Sequence, residues 1–252
     1  MLYNKLIKLK GNYIKRISRA LYNECIDNTD AVKAIAMLIY IKENKKASVV
    51  TNFTYKKLSA MTKLSIVVVK KRMDKLKSMG LCEYTDNKRN IKFLKIIAPK
   101  SNVRLDKIDM TSIKSIEIGL RALYIVEVQR RKEYVKSAVN VTGDIHNEKE
   151  YENARIIRDK ALRGTEGYTD NGISYNYLSN KMNVSKKTIS QAIKYGVKCG
   201  MFEKKREFLI IKTFLTYSEV VSAYHHFKDQ HARLRLVGLS LGLILANTYI
   251  LI

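Results

Sequence analysis

The sequence predicts an α+β chain, mainly helical, in which a unit of core helix, helix, short break, helix and β-hairpin occurs twice. The first observation behind this is an internal repeat: residues 55–83 align without a gap on residues 175–203. Identities fall at Tyr55/Tyr175, Leu58/Leu178, Ser59/Ser179, Ser65/Ser185, Gly80/Gly200 and Glu83/Glu203. The second is a change of period: apolar residues before each glycine recur at helical spacing, whereas those after it cluster as strands do. The third is composition, since 46% hydrophobic residues, one Pro and 11 Gly in 252 residues imply a chain folded nearly throughout, with room for two domains.

The elements follow in order. Residues 1–29 open with MLYNKLIKLKGNYIKR, which is basic but lacks a continuous apolar core and a small-residue cleavage site. They predict an N-terminal arm or first helix near a polyanion rather than a signal peptide. A first domain over 30–98 starts with a core helix from Thr29, whose apolar face is Val32, Ile35, Ala36, Leu38, Ile39 and Ile41. Helices over 55–61 and 65–79 follow, and then LCEY and NIKFLKII as a hairpin around residues 85–90. Pro99 and the polar stretch to 111 predict an interdomain linker. A second domain over 112–215 begins with a long helix to about Val139, carries a polar insertion at 142–171, and repeats the helix pair over 174–198. Its hairpin is expected as MFEK, a tight turn at Lys205-Arg206, and EFLIIKTF. Residues 216–252 are expected to be helical, ending in 17 uncharged residues from Leu236. That length only just permits a membrane span, and Ser240, Asn247, Thr248 and Tyr249 interrupt it, so an apolar C-terminal helix packed in the core or paired in a homodimer is expected instead.

Shared positions of the repeat have physical roles. Leu58 and Leu178 anchor the second helix, Leu64 and Val184 plug the break, and Ser65 and Ser185 cap the third helix. Val69 and Met73, like Ile189 and Ile193, lie four apart on its buried face. Gly80 and Gly200 permit the positive φ that turns the chain into a hairpin.

The pattern L-S-x5-S-x3-[VI]-x3-[MI]-x6-G-[LM] resembles the winged helix-turn-helix superfamily of bacterial regulators. The pairing of two such units is similar in architecture to the replication initiators of plasmids and phages. The resemblance implies a third helix in the major groove of double-stranded DNA, phosphates held by the wing and helix termini, and neither catalysis nor a cofactor.

Charge agrees with such a partner: 48 Lys+Arg against 23 Asp+Glu give +25, which a polyanion neutralises. Lys, Asn, Ile and Tyr are all abundant, as AT-rich coding produces, but that bias does not suppress acids. Residues 54–77 carry eight Lys/Arg and one acid, Asp74; residues 181–206 carry eight and one, Glu203. In the second unit Lys186, Lys187, Thr188, Ser190, Gln191 and Lys194 match base edges. The first offers Ile66, Val67, Val68, Lys70, Lys71 and Lys75, which suit backbone contacts and thymine methyls. Lys88, Arg89, Lys204, Lys205 and Arg206 are expected in the wing turns as phosphate clamps. Cys25, Cys82 and Cys199 form no C-x-x-C pair, which argues against a zinc ribbon or a stapled secreted fold and fits a reducing cytoplasm. No metal site is expected from His225, His226 and His231, and no phosphate loop or nucleophile motif occurs. The expected function is a sequence-specific DNA-binding protein, either a transcription regulator or a replication initiator of a mobile element. The alternative is a non-catalytic protein that coats or scaffolds nucleic acid, for instance in a virion.

Overall fold

The computed structural model describes residues 16–45, 48–85, 89–94, 96, 101–140, 173–229 and 234–252, with backbone alone at 135–140, 206–209 and 243–248. The chain is α+β, with eight helices and three small antiparallel sheets among the described residues. It divides into two compact units, one of residues 1–124 with 179–201, the other of 125–178 with 202–252.

The first unit is organised around a helix buried on nearly every side. Its elements are β1 (Arg16–Ser18), α1 (Arg19–Cys25), α2 (Thr29–Asn44), β2 (Val49–Val50), α3 (Tyr55–Thr62), α4 (Ile66–Ser78), β3 (Cys82–Thr85), β4 (Asn90–Phe93) and β5 (Asn102–Arg104). To these are added the start of α5 (Ile113–Asn140), the end of α6 (Tyr175–Met182) and α7 (Lys186–Lys198). The α2 helix starts where the Asn28 side chain accepts a bond from Ala31 N at 3.0 Å, and Ala34 to Ile39 are all at most 1% exposed. The sequence suggested one apolar face, but small alanines on the other sides let neighbours close over them as well.

The hairpin after α4 forms as expected, Cys82 opposite Phe93 and Thr85 opposite Asn90, and β2 adds a strand that sequence reasoning did not foresee. Lys42 of α2 is buried, and its Nζ donates to the carbonyls of Phe93 and Leu94 at 3.2 and 2.8 Å. Burial holds its pKa below the ordinary lysine value. This ammonium pins the end of β4 to the central helix.

One expectation about a connection is corrected. The described part of the 99–111 linker is packed: β5 pairs antiparallel with β1, and Val103, Leu105, Ile108 and Met110 are buried. Strand-period burial of Val103 and Leu105 was hidden among Arg104, Asp106 and Lys107. Of the arm or first helix expected over 1–29, the described residues contain a helix, α1, and it is packed: Ile17, Tyr22 and Cys25 are core and the Tyr22 hydroxyl donates to Leu120 O at 2.7 Å. Residues 1–15, and the expected insertion at 142–171, lie outside the described residues.

The second unit contains the rest of α5, the start of α6, β6 (Phe202–Thr213), α8 (Tyr217–Phe227), β7 (Leu234–Val237) and β8 (Ser240–Leu251). Here the expected C-terminal apolar helix is replaced by strands. β8 lies between β6 and β7 and pairs with β6 from Phe202 opposite Leu251 to Thr213 opposite Ser240. Ile244, Thr248, Tyr249 and Ile250 favour strand over helix, and Gly238 at φ 59° turns the β7–β8 hairpin. The expected tight turn at Lys205-Arg206 is also absent, because β6 runs through both residues and its partner comes from the chain's far end. Phe202 meets Tyr249 edge to face at 5.1 Å, both fully buried. Val220 of α8, which starts with a Thr216/Glu219 capping box, packs on Leu234 and Leu241. No helix among the described residues is long and apolar enough to cross a membrane.

Deleting residues 240–252 therefore removes the middle strand of this sheet. The shortened chain is expected to lose β-sheet circular dichroism and to aggregate, and a soluble deletion with an unchanged melting profile would contradict the pairing.

Candidate nucleic-acid interface

Two helix pairs, α3–α4 and α6–α7, are built by the same local chemistry. In each the break carries a residue in the left-handed region, Lys63 at φ 56° and Asn183 at φ 48°. Ser65 then accepts from Val68 N at 3.4 Å and Ser185 from Thr188 N at 3.2 Å, each capping the helix that follows. Sequence reasoning assigned these caps but gave no role to the other repeated serine. In the structure the Ser59 hydroxyl donates to Leu64 O at 2.6 Å, and the Ser179 hydroxyl donates to Val184 O. One side chain thus closes each break from the helix before it; the identity at 59/179 was the signal.

The far ends also match. Leu81 N donates to Leu76 O and Met201 N to Gly196 O, both at 2.8 Å, around Gly80 at φ 65° and Gly200 at φ 61°. These are Schellman caps. A Cβ on either glycine would meet nothing within 4 Å, so the backbone angle alone demands glycine.

With their ends fixed, α4 and α7 each bury one stripe and present the opposite one. α4 buries Val69, Met73 and Leu76; α7 buries Ile189, Ala192, Ile193 and Gly196. Helical spacing then puts Lys187, Gln191, Lys194 and Lys198 down the centre of the outward face of α7, all exposed. Lys186 is exposed beside them. Ser190 and Thr188 are half-buried, and the Thr188 hydroxyl lies 3.0 Å from that of Ser185 at the cap. The corresponding ridge of α4 is Val67, Lys71, Asp74 and Ser78, in which one cation meets one acid.

Several α4 cations are engaged within the protein. Lys71 Nζ lies 2.9 Å from the Asp30 carboxylate, whose pKa is held below the ordinary value by that donated bond. Both partners are well exposed, so the pair adds little stability. Arg72 donates to Lys33 O at 3.0 Å and ties α4 to α2. Lys70 lies over the Tyr55 ring at 5.4 Å and Lys77 over Tyr84 at 5.6 Å. Lys75 is half-buried, while Ile66, Val67 and Val68 are exposed. Charge counting in the sequence therefore overstated what α4 offers outward, and nothing in the linear text tied Lys71 to Asp30.

Of the expected clamps, Arg89 is exposed at the turn before β4, and its carbonyl accepts from Phe53 N at 2.6 Å. Lys88 lies outside the described residues, as does the Arg206 side chain. Lys204 and Lys205 stand in strand β6 of the second unit rather than in a wing turn. Lys205 is exposed; Lys204 donates to the Tyr175 hydroxyl at 2.9 Å and lies 4.9 Å over that ring. The repeated tyrosines Tyr55 and Tyr175 thus each carry a lysine on one face.

Among the described residues no group of three or more His, Cys, Asp or Glu is placed to hold a metal ion. Comparison with protein-family models, curated proteins and solved structures finds no match to the chain.

Ser59→Ala and Ser179→Ala each strip a partly buried carbonyl of its partner. Each is expected to destabilise the protein by about 1–3 kcal/mol, read as a lowered urea midpoint, with Ser→Thr rescuing part of the loss. Midpoints unchanged by both alanines would contradict the role given to these hydroxyls.

Proposed function

We propose that the chain is a sequence-specific double-stranded DNA-binding protein that inserts α7 into the major groove, built on two tandem winged helix units and serving a mobile element as transcription regulator or replication initiator. The observation that carries this is the outward ridge of α7, Lys187, Gln191, Lys194 and Lys198, unbroken by any acid and held clear of the core at both ends. A groove about 12 Å wide admits a helix, Gln191 suits a bidentate bond to adenine, and lysine ammoniums suit the acceptors of guanine.

The order α2, β2, α3, α4, β3, β4 in the first unit, with Arg89 at the turn before β4, supports the winged-helix reading. The second helix pair, α6–α7, repeats the local plan of α3–α4 up to Gly200, and the strand that follows in the chain, β6, pairs with β8 rather than with a local partner. The buried Cys25 and Cys82 thiols, pushed up to about 12 and about 11 by desolvation, are poor nucleophiles.

Selection of bound fragments from a random duplex pool gives the test. Gln191→Ala is expected to cost about 1–3 kcal/mol on the selected sequence and far less on a scrambled one. Lys187→Ala should weaken both and the selected sequence more. Equal losses on both duplexes would contradict base reading by α7, and length-dependent binding without any footprint would favour the coating alternative.

Asp30→Asn frees Lys71 and removes an acid from beside α4. Binding to the scrambled duplex is expected to strengthen, and the slope of log K against log salt to steepen by about one. An unchanged slope would place Lys71 away from the phosphates.

A further inference from the structure

We infer that the first turn of α4 reads thymine, through the C5-methyl groups that project into the major groove; the inference rests on the DNA-binding reading above. Ile66, Val67 and Val68 fill that turn and are 44%, 76% and 38% exposed. The helix is seated without them, on Val69, Met73 and Leu76, each at most 1% exposed. Local propensity does not ask for them either, since β-branched residues lose rotamer freedom in a helix and are weaker helix formers than alanine or lysine. A covering ligand supplies the missing stabilisation.

The rim of the patch identifies that ligand. Lys63 stands exposed in the break before α4, and within one turn of the three apolar residues follow Lys70, exposed over the Tyr55 ring, and Lys71, exposed and paired with Asp30, a pair that a phosphate can displace. A surface that is apolar at its centre and cationic at its edge fits a partner that is methyl-bearing at the centre and anionic at the edge. Duplex DNA has that arrangement wherever thymine methyls lie between the two phosphate backbones. A second copy of the chain does not, because it would set the same lysines against each other on a molecule of net charge +25.

The N-terminal turn is also the part of a groove-inserted helix that meets base edges. At the aligned positions α7 carries Lys186, Lys187 and Thr188. The two helices therefore divide the major-groove code, hydrogen-bonding edges to α7 and methyl groups to α4. The consequence is a bipartite site whose α4 half is rich in thymine.

Duplexes recovered from the random pool are synthesised with thymine or with uracil, which deletes the methyl and leaves every hydrogen-bonding group in place. The unmodified protein is expected to bind the thymine form tighter by roughly fourfold for each methyl covered. The triple variant I66S/V67S/V68S is expected to lose the difference between the two forms, and Gln191→Ala to keep it while binding both more weakly. Equal affinity of the unmodified protein for both forms overturns the inference and leaves the DNA-binding reading standing, whether or not the triple variant folds. Failure to bind either form overturns the DNA-binding reading itself.

Discussion

The donation from a serine hydroxyl to a backbone carbonyl across each helix break, Ser59 to Leu64 and Ser179 to Val184, is the constraint on which the candidate interface depends. A break that contains one left-handed residue has several ways to run, and a helix after it would sample several directions. The hydroxyl removes that freedom by tying the end of the break to the helix before it. The cap at Ser65 or Ser185 then starts the next helix at a fixed residue, and the Schellman glycine stops it at another. Between those points the sequence period decides which side chains face outward. A groove-reading helix needs such fixing, because a small misplacement of base-contacting groups forfeits their hydrogen bonds.

On this common frame the two helices carry different chemistry. The α7 ridge has three lysines and a glutamine, whereas α4 has Val67, Lys71, Asp74 and Ser78 at the corresponding positions and pairs Lys71 with Asp30. The strands that follow the two helix pairs differ too: β3 pairs with β4, its neighbour in the chain, while β6 pairs with β8, about forty residues later.

Much of the first unit was legible in the sequence. The helix pair, its caps, the glycines and the β3–β4 hairpin all rest on local signals, and local signals survive in a linear reading. What was lost depends on distant partners. β8 looked like an apolar helix because seventeen uncharged residues suggest burial without saying against what, and its partner lies about forty residues earlier in β6. β5 was mistaken for a linker because its polar neighbours masked a strand of three residues. Of the site, the outward positions of α7 follow from helical period alone. The loss of α4 cations to Asp30, the Lys33 carbonyl and the Tyr55 ring follows only from the tertiary fold.

Lysine acylation read by mass spectrometry, with and without duplex DNA, tests most directly whether these outward faces are the interface. Lys186, Lys187, Lys194 and Lys70 should lose reactivity when the duplex is bound, while Lys114 of α5 and Lys228 after α8 keep theirs. Undiminished labelling of the α7 lysines in a complex that protects other lysines would contradict the account.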